Sequence, residues 1–225
     1  MHLVIGNKNT SSWSMRPWVL MRQLGIPFEE TKLRFDFKPG SAFRQAVAQI
    51  SPAGLVPVLV DDGFCVWDSL AITEYLHEQF PQAGVWPAKQ QVRARARSVS
   101  AEMHSGFSAL RSHCPMNIAA DLSTAGDRIW AEQEGVRDNV ARIESLWADA
   151  LHSSGGPFLF GEFCAADAFF APVAMRLTRY ALPATAASQA YMQRVAQAPG
   201  VAAWISDAMA EQDFPDLEEP GRIQR

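Results

Sequence analysis

Cysteine and lysine are both scarce in this sequence. Cys65, Cys114 and Cys164 are the only cysteines in 225 residues, odd in number and widely spaced, with no C-x-x-C pair. A disulfide framework is thereby excluded, and the expected setting is a reducing one, the cytoplasm, with buried thiols. Lysine occurs only at Lys8, Lys32, Lys38 and Lys89, so local anion contacts fall mainly to guanidinium groups. Twenty basic residues against 24 acidic ones leave a formal net charge of −4, which offers no broad positive field to nucleic acid or to an acidic membrane. No apolar run approaches the ~18 residues that a membrane span needs. The N-terminus Met1-His2-Leu3-Val4-Ile5 has no charged region of the kind that opens a signal peptide. Also missing are G-x-S-x-G, a phosphate-binding P-loop, G-x-G-x-x-G and H-E-x-x-H. The five histidines are scattered and His77-Glu78 lacks a second histidine, so no metal site is expected.

What is present suffices for a sizeable core. Hydrophobic residues make up 48% of the chain, and the length suits one large domain or two small ones. The first eighty residues alternate strand and helix signals. Residues 3–5 are short and apolar, 15–24 read as a helix with Pro17 in its first turn, and 28–35 read as a second strand. Residues 40–49 form a short helix or irregular loop. Pro57-Val58-Leu59-Val60 and Phe64-Cys65-Val66-Trp67 flank a turn at Asp61-Asp62-Gly63 and so make a hairpin. A helix then opens at Asp68-Ser69 and runs to about Phe80. The order βαβ, connecting helix, ββα combines a parallel pair with an antiparallel hairpin, which is the thioredoxin-like pattern. Pro, Gly and polar residues mark a linker at 81–89. Residues 90–225 read as an all-helical domain. There Val92, Val99, Met103, Phe107 and Leu110 share one helical repeat, 129–151 form a second long helix, and 165–182 form a central buried one with few charges before Arg176. The tail from Phe214 to Arg225 reads as loosely held.

Three segments carry the chemistry. Thr10-Ser11-Ser12-Trp13-Ser14-Met15-Arg16 lies between a strand and the first helix. A helix start offers unpaired N–H groups and partial positive charge, and a hydroxyl placed there can donate to an anion. If that anion is a thiolate, lowering its pKa by ~2 from about 8.5 requires roughly 2.7 kcal/mol, which a charge-assisted hydrogen bond with a helix dipole can supply. Read alone, these serines are more readily helix caps and nothing more. In Ser51-Pro52-Ala53-Gly54-Leu55-Val56-Pro57, the proline beside the helix start suggests a cis Val56–Pro57 bond, although the rarity of cis bonds favours an ordinary trans proline. The Val56 backbone could then pair with a peptide ligand. Asp68 and Ser69 at the next helix start could hold an ammonium and a carboxylate on one carbon, or could simply cap.

Taken together, these segments resemble the glutathione-binding domain of soluble glutathione transferases. Ser11-Ser12-Trp13-Ser14-Met15-Arg16 is similar to S-S-C-S-x-R of the zeta class and S-P-x-S-x-R of the tau class. Val56-Pro57 is similar to the family's cis-proline pair and Asp68-Ser69 to its E/Q-S pair. Gly161-Glu162-Phe163-Cys164-Ala165-Ala166-Asp167 resembles the box that opens the family's central helix. The resemblance implies a thioredoxin-like domain followed by a helical one. It further implies glutathione as co-substrate, Ser11 as the catalytic hydroxyl, Val56, Asp68 and Ser69 as glutathione contacts, Asp167 as a structural cap, and a homodimer acting in detoxification. Trp13 stands where the zeta class has cysteine, Trp18 where it has a second basic residue, Asp68 is a methylene shorter than Glu or Gln, and Cys164 replaces the usual Ser or Thr. On the first all-α helix, His104, Phe107 and Arg111 are expected on one face, lining a second-substrate site with Trp13 for a planar acceptor bearing a carboxylate; the alternative is that Phe107 is core and Arg111 makes a salt bridge. The zeta-like motif also permits cis–trans isomerisation of a maleyl-type diacid. The rival from another class is a non-catalytic module that binds a protein partner.

Overall fold

The computed structural model describes residues 1–212, so the tail from Phe214 lies outside the described residues. Strand β1 (His2–Ile5) leads into α1 (Ser12–Gln23), β2 (Glu29–Lys32), α2 (Ala42–Ala48), β3 (Val58–Asp61), β4 (Phe64–Trp67) and α3 (Ser69–Gln79). The sheet order is β2-β1-β3-β4, with β1 parallel to β2 and antiparallel to β3. Asp61 pairs with Phe64 across the Asp62-Gly63 turn, where both central residues have positive φ, as a tight hairpin turn requires. The mixed βαβ–ββα topology is that of the thioredoxin-like fold.

Every helix from α4 (Gln90–Ser105) onward belongs to a second, helical layer. It continues with α5 (Ser108–His113), α6 (Ser123–Glu132), α7 (Glu134–Ser154), α8 (Ala165–Arg179), α9 (Ala186–Gln197) and α10 (Pro199–Ala210). The helix expected over 129–151 is two helices that meet at Gln133, whose ψ of 91° breaks the helical path. No proline or glycine at Gln133 announces the break. Two residues on, Gly135 sits where a Cβ would come within 3.1 Å of Ala109 on α5, so the start of α7 is fixed by packing against α5 rather than by local sequence.

Helix α8 is the centre of the molecule. From Ala165 to Leu177 it is buried throughout, as a helix apolar on all sides must be, and it packs on α1, α4 and α9. Asp167, fully buried in its first turn, holds its start: the carboxylate accepts Cys164 N–H at 3.0 Å, Leu159 N–H at 3.1 Å and the Tyr191 hydroxyl at 2.9 Å. Burial pushes this carboxyl up to about 6, against those hydrogen bonds. Helix α1 is thus held by α8, α10 and α3, which fixes the direction of its N-terminus.

Candidate functional site

Helix α1 begins three residues before the sequence suggested, because Ser11 caps it. The Ser11 side chain accepts Ser14 N–H at 3.4 Å. Pro17 consequently lies inside the helix rather than in its first turn. The Ser11 hydroxyl donates to Ser14 Oγ at 2.7 Å, and Ser14 Oγ also accepts Gly6 N–H at 3.2 Å. Glycine at position 6 is required by close approach, since a Cβ there would lie 2.1 Å from the Phe35 ring.

Ser11 and Ser12 open onto a cleft of about 600 Å³. Ser14 does not line it; that hydroxyl is wholly buried behind Ser11. One wall is aromatic: Phe35 and Phe37 stack at 5.2 Å between centroids, and Phe43 meets both edge-on. The opposite wall carries Arg111, Ser112, Pro115, Met116 and Arg176. Trp13, Leu55 and Val56 separate this cleft from a neighbouring pocket of about 250 Å³ that contains Asp68 and Ser69. The Val56–Pro57 bond is cis. Sheet pairing starts at Val58, so the Val56 backbone lies beyond the ladder and faces both cavities.

Asp68 caps α3 with φ +74°, its Oδ1 accepting Leu70 N–H at 2.8 Å and Ala71 N–H at 3.3 Å. Its Oδ2 lies 3.3 Å from His104 Nε2. His104 Nδ1 is in turn 3.3 Å from Arg16 Nη1, which also donates to Ser69 Oγ at 3.3 Å. Because the guanidinium can only donate, His104 accepts at Nδ1 and carries its proton at Nε2, toward Asp68. Burial holds the His104 pKa below its ordinary value; Asp68 opposes the shift, while Arg16 and Arg111 add to it. Arg16 is fully buried, with its guanidinium 4.0 Å from the Trp13 ring centre and 5.2 Å from that of Phe169. Those π faces partly offset the absence of hydrogen-bond partners at Nε and Nη2. Burial first, then Arg176 and Arg111, brings Arg16 down to about 9. Burial lowers Arg176 to about 10. Both values leave the side chains cationic at neutral pH.

Of the expected second-substrate residues, Trp13 and Arg111 line the Ser11 cleft, whereas His104 and Phe107 do not. The single helical face is corrected: α4 stops at Ser105, Phe107 adopts φ +55° at the head of α5, and its ring is buried core, only 7% exposed. The overlooked signal is Gly106, where any Cβ would come within 2.6 Å of the Glu102 carbonyl oxygen. The chain turns there, which sends His104 to Asp68 and Arg111 to the cleft. Arg111 donates from Nη1 to the His104 carbonyl at 3.1 Å and has no ion pair among the described residues. The expectation missed Arg176. It donates from Nη2 to Ser12 Oγ at 3.1 Å, from Nε to the Cys114 carbonyl at 2.9 Å and from Nη1 to the Pro172 carbonyl at 3.4 Å. Its only sequence signal was its place as the first basic residue in the apolar 165–182 stretch. The phenylalanines of the 35–43 segment were missed as well.

The site therefore brings together a hydroxyl pair at a helix start, a cluster of guanidiniums of which Arg16 feels the Asp68 carboxylate, an open backbone segment at Val56 and a polar pocket at the next helix start. It suits an extended peptide anion with an ionisable group near Ser11. Among the described residues no group of three or more His, Cys, Asp or Glu could hold a metal ion.

Comparison with known proteins agrees with this architecture. Residues 10–79 match the family described as glutathione S-transferase, N-terminal domain. The chain is 26% identical over 174 residues to maleylacetoacetate isomerase of Rattus norvegicus, covering 77% of this chain and 76% of the relative. A solved Burkholderia glutathione transferase homologue with bound glutathione superposes with a TM-score of 0.68 at 24% identity, over 94% of this chain and 98% of that one. Maleyl pyruvate isomerase, described as a bacterial zeta-class glutathione S-transferase, superposes with a TM-score of 0.70 at 21% identity, over 95% and 100% of the two chains. The thioredoxin-like sheet, the cis Val56–Pro57 turn and the Asp68-Ser69 helix start all lie in or beside the segment that matches the glutathione S-transferase N-terminal domain.

Proposed function

We propose that the protein is a glutathione transferase that binds the tripeptide across both cavities and uses Ser11 to hold its sulfur as a thiolate. The γ-glutamyl end occupies the Asp68-Ser69 pocket, with its ammonium toward Asp68 and its carboxylate toward the α3 N-terminus and the Ser69 hydroxyl. The cysteinyl backbone pairs with Val56, and the sulfur reaches Ser11. The observation that carries this reading is the Ser11–Ser14–Gly6 chain. Ser14 Oγ already accepts from Gly6 N–H, so when Ser11 turns its proton toward the sulfur, Ser14 can donate its own proton back to Ser11. The two hydroxyls keep every donor and acceptor satisfied and reinforce one another. Arg111 and Arg176 add positive potential at the same cleft, which favours the anionic sulfur. The bound thiolate then attacks an electrophilic carbon, with catalysis by proximity and anion stabilisation.

On this reading residues 1–80 form the glutathione-binding domain, 81–89 the linker, and the helices from residue 90 the domain that contributes the acceptor wall. The acceptor lies between the Phe35–Phe37–Phe43 wall and Arg111. Two assays test the assignment. A folded sample retained on immobilised glutathione, and turning over 1-chloro-2,4-dinitrobenzene, supports it; failure of retention supports a non-catalytic module instead. Isomerisation of a maleyl-type diacid is the second reading, favoured by Arg111 lacking an ion pair among the described residues. A higher kcat/KM for maleylacetoacetate than for the aryl halide would replace conjugation with isomerisation as the principal reaction.

The same reading includes a cytoplasmic homodimer engaged in detoxification. Its three free cysteines suit a reducing compartment, which cell fractionation tests. Phe64 and Trp67 on β4 are 62% and 44% exposed and border a groove with Val66, Leu70 and Tyr75. An apolar patch of this kind is what a second copy would cover. Sedimentation velocity should give a dimer for the wild type and a monomer for Trp67→Glu; an unchanged dimer removes this face from the contact.

A further inference from the structure

The loop that presents Ser11 owes its shape to a residue two hundred positions away. Within the loop, Thr10 N–H and Ser11 N–H donate to the Asn7 carbonyl at 3.3 and 2.8 Å. The two preceding N–H groups, of Lys8 and Asn9, donate instead to Glu211, to Oε1 at 3.0 Å and Oε2 at 3.1 Å. A carboxylate that spans two successive peptide N–H groups fixes the orientation of both. Glu211 is 5% exposed at the end of α10, and Lys32 Nζ lies 3.1 Å from its Oε1. On the same helix, Asp207 lies 2.6 Å from the Lys8 ammonium, which also pairs with Glu30 at 2.8 Å.

Helix α10 is itself firmly seated on α1. Gly200 comes so close that a Cβ would lie 2.7 Å from the Val19 carbonyl oxygen, Gly200 N–H donates to Gln23 Oε1 at 2.9 Å, and Trp204 meets Trp18 at 5.3 Å between centroids. The other side of the loop is tied to the acceptor wall. Asn9 donates from Nδ2 to Asn117 Oδ1 at 2.9 Å, and its carbonyl and side-chain oxygens accept Ile118 N–H and Ala119 N–H at 3.2 and 2.9 Å. One short loop thus links α10, the Ser11 hydroxyl and the segment that follows Pro115 and Met116 in the cleft.

We infer that Glu211 is a positioning residue for the thiolate site, holding the Lys8–Asn9 peptides so that Ser11 Oγ meets the sulfur of the bound tripeptide. The inference rests on the Ser11 reading above. Its signature has a definite sign. Acting only through its charge, Glu211 would disfavour a nearby thiolate, and its removal would lower the thiol pKa. Acting through position, its removal raises that pKa.

The test is ultraviolet titration of the glutathione thiolate bound to full-length Glu211→Ala, beside wild type and Ser11→Ala, with melting temperatures recorded for each. Glu211→Ala is expected to raise the bound-thiol pKa by about one unit, a roughly tenfold loss of thiolate below the pKa. Turnover at that pH should fall in parallel, with the glutathione KM changed by less than about threefold. If Glu211→Ala does not fold, Glu211→Gln, which keeps the length but offers one acceptor oxygen, should shift the pKa in the same direction by less. A pKa that stays put or falls, even with a lowered melting temperature, overturns the positioning role. If Ser11→Ala shifts the thiol and neither Glu211 variant does, this inference alone fails. If Ser11→Ala leaves it unmoved, the serine reading fails and takes this one with it.

Discussion

Ser11→Ala is expected to lower kcat/KM for glutathione-dependent turnover by roughly 10- to 100-fold near neutral pH, the worth of one hydrogen bond to a charged group, about 1.5 to 3 kcal/mol. Glutathione affinity should change much less, because the γ-glutamyl and backbone contacts at Asp68, Ser69 and Val56 are untouched. Steady-state kinetics with an aryl halide beside equilibrium binding of glutathione separates the two effects. The neighbouring serines provide internal controls. Ser14→Ala leaves Gly6 N–H without its acceptor and Ser11 without its hydroxyl partner, so it should reduce turnover by less than Ser11→Ala. Ser12 lines the same cleft, backed by Arg176, and Ser12→Ala should have the smallest effect of the three. A Ser12→Ala loss larger than that of Ser11→Ala would reassign the thiolate to Ser12.

The second large effect is expected at Arg111. It is half-buried at the cleft wall and spends one donor on the His104 carbonyl, whereas all three nitrogens of Arg176 are committed to Cys114, Pro172 and Ser12. Arg111 therefore has the donors to spare for an anionic acceptor, and the stacked Phe35 and Phe37 rings face a planar one. Wild type should favour 4-chloro-3-nitrobenzoate over its neutral benzamide analogue by about tenfold in kcat/KM, since a charge-assisted hydrogen bond contributes about 1.5 to 3 kcal/mol, part of it lost to solvent screening. Arg111→Leu should erase that preference while leaving turnover of the benzamide nearly unchanged. A ratio that survives the substitution would remove Arg111 from acceptor recognition.

The legible parts of the fold and site are those set by neighbours in sequence. The hairpin follows from Asp62-Gly63, whose positive φ values few residue pairs accept. The start of α3 follows from Asp68, whose side chain caps the N–H groups two and three residues ahead, whereas α1 opens three residues earlier than its apolar pattern suggested because Ser11 caps it. The Val56–Pro57 bond is cis, as the family resemblance implies, whereas the rarity of cis bonds favours trans for the segment read alone. The parts that were not legible depend on contacts across the chain. Arg176 reaches Ser12 over 164 positions, and Glu211 reaches Lys8 over 203. Each reads in isolation as a charge on a helix. The His104–Phe107–Arg111 face failed for a local reason that was visible: a glycine at 106 ends one helix and lets Phe107 turn into the core. The break at Gln133 had no such marker, because packing of α7 on α5 imposes it.

The most direct measurement is the pKa of the glutathione thiol bound to the wild-type protein, followed by thiolate absorbance as pH is varied. Hydrogen bonding from Ser11 and the positive potential of the cleft should bring it about two units below the roughly 8.5 of a free cysteine thiol. A bound thiol that ionises no more readily than the free one would contradict the account.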